Sequence, residues 1–156
     1  MSRVIGCLIL LFTSVTTMAS SPGYDFLQIN HSYNSLGQTG LIHLPTAGIQ
    51  PVGSVGVTIG SSGTNEFLSV IATPFSWLEA SFYYHRPRDT SFIKKGNYLD
   101  KGFNLKLLMF TYKNIGVAAG IDDIAGTGLQ SKEYIVSTIN TNNFKFTLGI
   151  GTGAFS

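Results

Sequence analysis

Charged residues are scarce in this sequence. Asp, Glu, Lys and Arg together make up 12% of its 156 residues, whereas soluble domains contain about 25%. The basic residues are scattered along the chain, and the formal net charge is only +2. A protein that binds nucleic acid would instead gather Lys and Arg into a patch, so the composition argues against that function. So few charges are also unusual for a surface that faces water.

Cysteine occurs once, and it falls inside a predicted export signal. Arg3 gives a positive start, residues 4–15 are largely apolar, and small residues surround a predicted cleavage point after Ala19, so residues 1–19 are predicted to be a signal peptide. Cleavage would remove Cys7, and the mature chain would then contain neither a disulfide nor a reactive thiol. A lipid anchor on Cys7 is disfavoured because too little apolar sequence precedes it.

Apolar runs of the roughly 20 residues that a membrane-spanning helix needs are also missing. The sequence shows a two-residue period instead, as where Phe103, Leu105 and Leu107 alternate with Asn104 and Lys106. Such alternation predicts strands with one apolar side. Strands are therefore predicted near residues 39–45, 54–61, 66–73, 77–85, 103–110, 114–122, 132–139 and 143–152.

The segments between the strands carry further information. Residues 20–38 are polar and aperiodic, which suits a flexible leader or a plug-like segment before a β part at 39–156. The predicted links at 74–76, 111–113 and 140–142 are short, whereas those at 62–65, 86–102 and 123–131 are longer. Outer-membrane barrels show this alternation because their periplasmic turns are tight and their extracellular loops are extended.

Two all-β architectures could use these strands. Their non-apolar sides are rich in Gly, Ser, Thr and Asn, which suits a barrel interior better than a solvated surface. We therefore expect an antiparallel up-and-down transmembrane β-barrel or partial barrel of about eight strands, exported to a bacterial outer membrane. The alternative is a periplasmic or surface β-sandwich that serves as a binding or structural module. Aromatic residues at strand ends are expected in interfacial girdles, namely Phe75, Trp77, Tyr83, Tyr84, Tyr112, Tyr134 and Phe144.

Several ordered motifs resemble one known family. The run Val117–Leu129, followed by residues 132–137, is similar to YjbH-type exopolysaccharide-biosynthesis proteins. Shorter pieces resemble the same family in the expected order: 40–42 with 45–47, 76–79, 103–106 and 146–151. Together they cover nearly all of the predicted mature chain. Family members are several times longer and more often place Asp where Asn104 stands, so the resemblance also suggests a truncated member.

The resemblance implies a non-enzymatic outer-membrane β-barrel protein that helps to export or assemble exopolysaccharide or capsule. Its implied partners are outer-membrane lipid and the exopolysaccharide with its secretion proteins, without a cofactor and without nucleic acid. The residues offer no rival chemistry. There is no Gly-x-Ser-x-Gly nucleophile motif, and the glycine-rich run at 149–153 is not followed by the helix that a phosphate-binding loop requires.

Two sets of residues are candidates for the functional site. Adjacent strand residues face opposite sides, so Asp122 and Asp123 are not expected to converge on a cation. A tight loop is expected there, with positive φ at Gly126 and Gly128 and backbone N–H bonds to Asp123. His31, His43 and His85 lack a zinc-site spacing, and no metal site is predicted. The first set is expected to face the barrel interior: Asn104, Lys106, Lys145 and Thr147. The second set forms the family-motif loop at one rim: Asp123, Gly126, Thr127, Gly128, Glu133 and Tyr134.

Overall fold

The computed structural model describes residues 32–62, 65–87, 99–141 and 144–154. The predicted signal peptide and His31 lie outside these ranges. The described residues form strands joined by turns, and none belongs to a helix that could cross a bilayer. The strands are β1 (Gly40–Leu41), β2 (Leu44–Pro45), β3 (Val55–Ser62), β4 (Asn65–Phe75), β5 (Leu78–Pro87), β6 (Asp100–Tyr112), β7 (Ile115–Ile124), β8 (Lys132–Asn140) and β9 (Lys145–Gly153).

Each long strand pairs with the next one along the chain. Strands β3 to β9 form one seven-stranded antiparallel sheet in sequence order, and β1 and β2 form a separate small hairpin. The all-β antiparallel prediction is thus confirmed. Within the described ranges β3 and β9 are the two edges of the sheet, so these residues form an open sheet, and the predicted barrel closure is not shown.

The period-two pattern predicted seven of the eight strands close to their observed positions. The prediction of a strand at 39–45 is wrong, because this segment forms the short β1–β2 hairpin and does not join the main sheet. The prediction of a longer link at 62–65 is also wrong, since only residues 63–64 separate β3 from β4. The other short and long links occur as predicted, with residues 76–77 and 113–114 as tight turns and residues 88–99 as the longest link.

The two faces of the sheet have opposite chemistry. One face, called the outer face, carries large apolar side chains that are exposed, including Ile59 (82%), Leu105 (42%) and Ile150 (76%). The other, called the inner face, carries polar and charged side chains that are buried, including Glu79 and Lys106. Cross-strand register keeps these sets apart, because directly paired residues of an antiparallel sheet point to the same side. A soluble protein normally shows the reverse arrangement.

Residues 32–50, called the plug segment, lie against the inner face. Leu36, Gln38, Thr39, Ala47 and Ile49 of this segment are each no more than 3% exposed. The described part of the predicted polar leader, residues 32–38, belongs to the plug segment. The inner polar groups are therefore buried beneath the plug segment and not beneath a second sheet.

Aromatic residues gather on the outer face at the end of the tight turns. Phe75 and Trp77 stack at 5.3 Å between ring centroids. Both are about half exposed, as is Tyr112, and Phe144 is exposed to a greater extent. The prediction that Tyr83 and Tyr134 join this set is wrong. Both point to the inner face and are buried, because each shares the strand parity of its polar neighbours two residues away.

Candidate functional site

A buried ion pair lies at the centre of the inner face. Glu79 of β5 and Lys106 of β6 are direct cross-strand partners, and the Lys106 Nζ lies 2.9 Å from the Glu79 Oε1 with both side chains fully buried. Thr39 of the plug segment binds both partners. Its backbone N–H donates to the Glu79 Oε1 at 2.7 Å, its hydroxyl donates to the Glu79 Oε2, and its carbonyl accepts from the Lys106 Nζ at 2.7 Å.

The neighbouring residue of the plug segment makes a second polar contact. The Gln38 side-chain amide donates to the Asp122 Oδ1 at 2.6 Å and to the Tyr134 hydroxyl at 2.9 Å. Lys132 supplies the countercharge, with its Nζ 3.4 Å from the Asp122 Oδ2. Gly120 makes room for the Tyr134 ring, because a Cβ there would lie 2.3 Å from the ring's Cζ. Gln38 therefore ties the plug segment to β7 and β8 together.

A third contact involves an amide on β6. The Asn104 Nδ2 donates to the carbonyl of Leu36 at 3.1 Å and to the Ser81 hydroxyl oxygen at 2.9 Å, while the Asn104 Oδ1 accepts the backbone N–H of Asp123 at 3.0 Å. Both ends of this amide are used. Asn104 thus links the plug segment to the start of the loop that follows β7.

That loop contains the family-motif residues. Asp123 has φ of 62°, which ends the strand alternation, and its Oδ2 accepts the backbone N–H of Gln130 at 3.1 Å. Gly128 has φ of 84° as predicted. The prediction of positive φ at Gly126 is wrong, because Ala125 adopts it instead, with φ of 55°. Gly126 is needed for space, since a Cβ there would lie 1.6 Å from the Asp123 Oδ1. The Thr127 hydroxyl donates to the Asp100 Oδ1 at 2.7 Å, so the loop is tied down onto β6.

Comparison with known proteins gives the same family as the motifs. The profile of the family described as "Exopolysaccharide biosynthesis protein YbjH" matches residues 32–156. The chain belongs to this family. An Escherichia coli K12 relative in the YjbH family, named "Uncharacterized lipoprotein YjbH", is 34% identical over 133 residues, covering 80% of this chain and 19% of the relative. The chain thus spans about a fifth of that relative's length, and no solved structure matches it significantly.

The four residues predicted to face the interior all lie on the inner face of this YjbH-family sheet. Asn104 and Lys106 are completely buried and bind the plug segment. Thr147 lies within 2.9 Å of the Thr138 hydroxyl, which also accepts the backbone N–H of Ala47 at 2.9 Å. Lys145 shares the parity of Thr147 but is exposed at the beginning of β9. Asn104 and Lys106 therefore contact the plug segment directly, and Thr147 is linked to it through Thr138.

The remaining predicted residues are distributed between the faces. Tyr134 is buried and binds Gln38, whereas Glu133 is exposed on the outer face. The described ranges contain no group of three or more His, Cys, Asp or Glu side chains arranged to hold a metal. His85 stacks on Phe67 at 4.7 Å, and the His43 Nδ1 lies 3.1 Å from the Ser35 hydroxyl.

Sequence reasoning did not identify Gln38, Thr39 and Glu79 as site residues. Gln38 and Thr39 sit in an aperiodic stretch, so no repeat indicates which side they face. Glu79 carried a usable signal, since it has the strand parity of Ser81 and lies two residues before it. An acidic residue at an inner position of one strand, with Lys106 at an inner position of the next, predicts a cross-strand ion pair.

Proposed function

We propose that this chain forms part of the wall of an outer-membrane β-barrel that assists exopolysaccharide export or assembly without enzymatic activity. The observation that carries the proposal is the reversed polarity of the sheet. Exposed Ile, Leu, Val and Phe side chains cover the outer face, and the polar and charged side chains are buried on the inner face. Hydrocarbon is the solvent in which such an outer face is stable.

The dimensions of the outer face agree with a bilayer. On β6 the apolar stretch from Phe103 to Met109 covers about 20 Å at about 3.4 Å per residue, near the apolar band of about 25 Å in such barrels. Exposed aromatic residues lie beyond one end of this band. At the other end the outer face carries Arg86 and Glu66, 3.5 Å apart, with Lys101 on the neighbouring strand and the exposed Glu133 beyond. Aromatic and charged belts of this kind are typical of membrane interfaces.

The polar inner face is occupied by the plug segment. Its central Lys106, Glu79, Asn104 and Asp122 side chains hold the plug segment through hydrogen bonds. None of these four is arranged with a second acid or base around an open cleft of the kind glycoside hydrolysis uses. This engagement is the support for a non-enzymatic role. The polymer and its secretion proteins are the proposed partners, and outer-membrane lipid is the proposed surrounding.

Export is the remaining element of the proposal. The E. coli relative is named a lipoprotein, which agrees with an exported, membrane-associated chain. We retain the interpretation that residues 1–19 form a cleaved signal and that the mature chain begins at Ser20. Acylation at Cys7 is the alternative, and it would anchor the same sheet through a lipid.

Membrane fractionation and polymer secretion together test the proposed function. We expect the chain in the outer-membrane fraction, with a migration in gels that changes on heating as folded barrels do, and we expect deletion of its gene to lower secreted exopolysaccharide. Recovery from the soluble periplasm would contradict the membrane assignment and favour the β-sandwich alternative. In the described ranges, however, the outer apolar side chains are exposed rather than enclosed by a second sheet.

A further inference from the structure

A groove separates the plug segment from edge strand β3, and its lining mixes polar side chains with the apolar Ile42, Ile59 and Phe67. It has a volume of about 340 Å³ and is lined on the plug side by Tyr33, Ser35 and His43 and on the sheet side by Thr58, Ser61 and Phe67. This volume lies in the usual range for small-molecule sites, about 300–1,000 Å³. Neither Glu79 nor Lys106 lines the groove.

The groove carries no formal charge on its described lining, since none of these residues is Asp, Glu, Lys or Arg. Hydroxyl groups line it on both sides, and the His43 imidazole lies on the plug side. Burial, and to a lesser degree the charge of Glu79, raises the pKa of Tyr33, so its phenol is neutral in water near pH 7. Uncharged donors and acceptors of this kind match the hydroxyl groups of a neutral sugar and offer no countercharge to an anion.

Two local features give the groove a fixed shape. Tyr33 packs directly on β3 at Gly56, where a Cβ would lie 2.9 Å from the Tyr33 hydroxyl. The His43 Nδ1 lies within hydrogen-bond distance of the Ser35 hydroxyl, at 3.1 Å, which orients an exposed imidazole. The Tyr33 ring therefore offers an apolar surface for the C–H face of a sugar ring, and the hydroxyl and imidazole groups lie beside it.

We infer that this groove binds a short stretch of neutral saccharide, with His43, Ser35 and Tyr33 as its main contacts. The inference rests on the proposed function, because it assigns a place where an exported polymer meets the chain. The inference also goes beyond the proposed function, since it predicts a preference for uncharged sugar units over uronic acids or phosphorylated sugars. The inner face around Lys106 is covered by the plug segment, whereas the His43 imidazole at the groove is exposed.

Gly60 permits a sharp test. It lines the groove, and a Cβ built on it would meet no heavy atom within 4 Å. Gly60→Phe should therefore fill the groove without disturbing the packing. Val57→Phe is the matched control, because Val57 lies on the same strand, on the outer face, and is 61% exposed. His43→Ala removes the oriented imidazole.

The binding assay uses the full chain folded in detergent micelles, with maltotetraose as the neutral probe and tetragalacturonate as the anionic probe. Saturation-transfer NMR and calorimetry should show saturable binding of maltotetraose in preference to tetragalacturonate. Gly60→Phe should weaken it at least about tenfold and His43→Ala about fivefold, whereas Val57→Phe should leave it unchanged. Those losses correspond to about one or two hydrogen bonds. Circular dichroism confirms that each variant is folded.

Three results would overturn the inference: no saturable binding of maltotetraose, equal binding by Gly60→Phe, or tighter binding of the anionic probe. The secretion assay distinguishes this failure from failure of the proposed function. If deletion lowers secreted polymer while the neutral probe does not bind, only the groove assignment fails. If the probe binds and secretion is unchanged by deletion, only the export role fails.

Discussion

Removing one member of the buried Glu79–Lys106 pair should destabilise the fold strongly. In Lys106→Met the side-chain volume is nearly preserved, but the Glu79 carboxylate loses the cation 2.9 Å away and the Thr39 carbonyl loses its donor. Both side chains are fully buried, so water cannot replace the lost partner. Breaking a buried pair in this way typically costs about 3–5 kcal/mol.

The double variant Glu79→Gln/Lys106→Gln provides the matched control. It removes both charges, keeps a carbonyl oxygen for Thr39 and keeps an amide donor near the Thr39 carbonyl, so its cost should be smaller than that of Lys106→Met. Urea unfolding in lipid vesicles, followed by the fluorescence of Trp77, measures the free energy of unfolding. Hydrogen exchange at the Thr39 amide reports on the plug segment directly and should accelerate in Lys106→Met.

The reasoning would be refuted if Lys106→Met lay within about 1 kcal/mol of the wild type, since loss of a paired charge at a dry site cannot be that small. It would also be refuted if the double variant were less stable than Lys106→Met. The first result would mean that water reaches the pair and that the plug segment does not seal it; the second would mean that the unpaired Glu79 carboxylate is not the main cost.

Three further predictions follow from other contacts. Gly120→Ala should cost about 1–3 kcal/mol through overpacking, measured by urea unfolding, because its Cβ would lie 2.3 Å from the Tyr134 ring; Gly60→Ala, with open space around its Cβ, should be close to neutral. Leu105→Arg should destabilise the folded state in vesicles by about 2–4 kcal/mol if the outer face meets hydrocarbon, whereas Leu105→Met should not. Equal stability of the two variants would contradict the lipid contact. Intact-mass measurement of the protein recovered from membranes should give a chain that starts after Ala19, and an acylated chain would contradict the predicted cleavage.

The sheet could be predicted well from sequence because its information is local. Side chains of β6 alternate between exposed Phe103 and Leu105 and buried Asn104 and Lys106, and this alternation is visible in any window of a few residues. The chemistry of each face could be predicted for the same reason. The inner position of Tyr83 could also have been read from its parity with Ser81, although its position near a strand end suggested a girdle.

The plug segment could not be predicted in the same way. Its buried polar groups are satisfied by residues far away in sequence, as Gln38 is by Asp122 and Tyr134 across 84 and 96 residues. No repeat or composition signal carries that information. The Asn34 carboxamide oxygen accepts the backbone N–H groups of Leu36 and Gln38, which forms a local turn of the Asx type. This turn can be predicted from sequence, but the strands on which the plug segment packs cannot. The inner-face residues of the candidate site could therefore be predicted from local alternation, whereas the plug residues that bind them could not.

The separation between the plug segment and its anchors has a consequence for the order of assembly. Each long strand can pair with the preceding strand as a β-hairpin, which brings together residues that are close in sequence. Gln38 can reach both of its partners only once β8, which contains Tyr134, is in place. The plug segment is therefore expected to dock last, although it precedes the sheet in sequence. Until it docks, the Glu79–Lys106 pair is exposed to water.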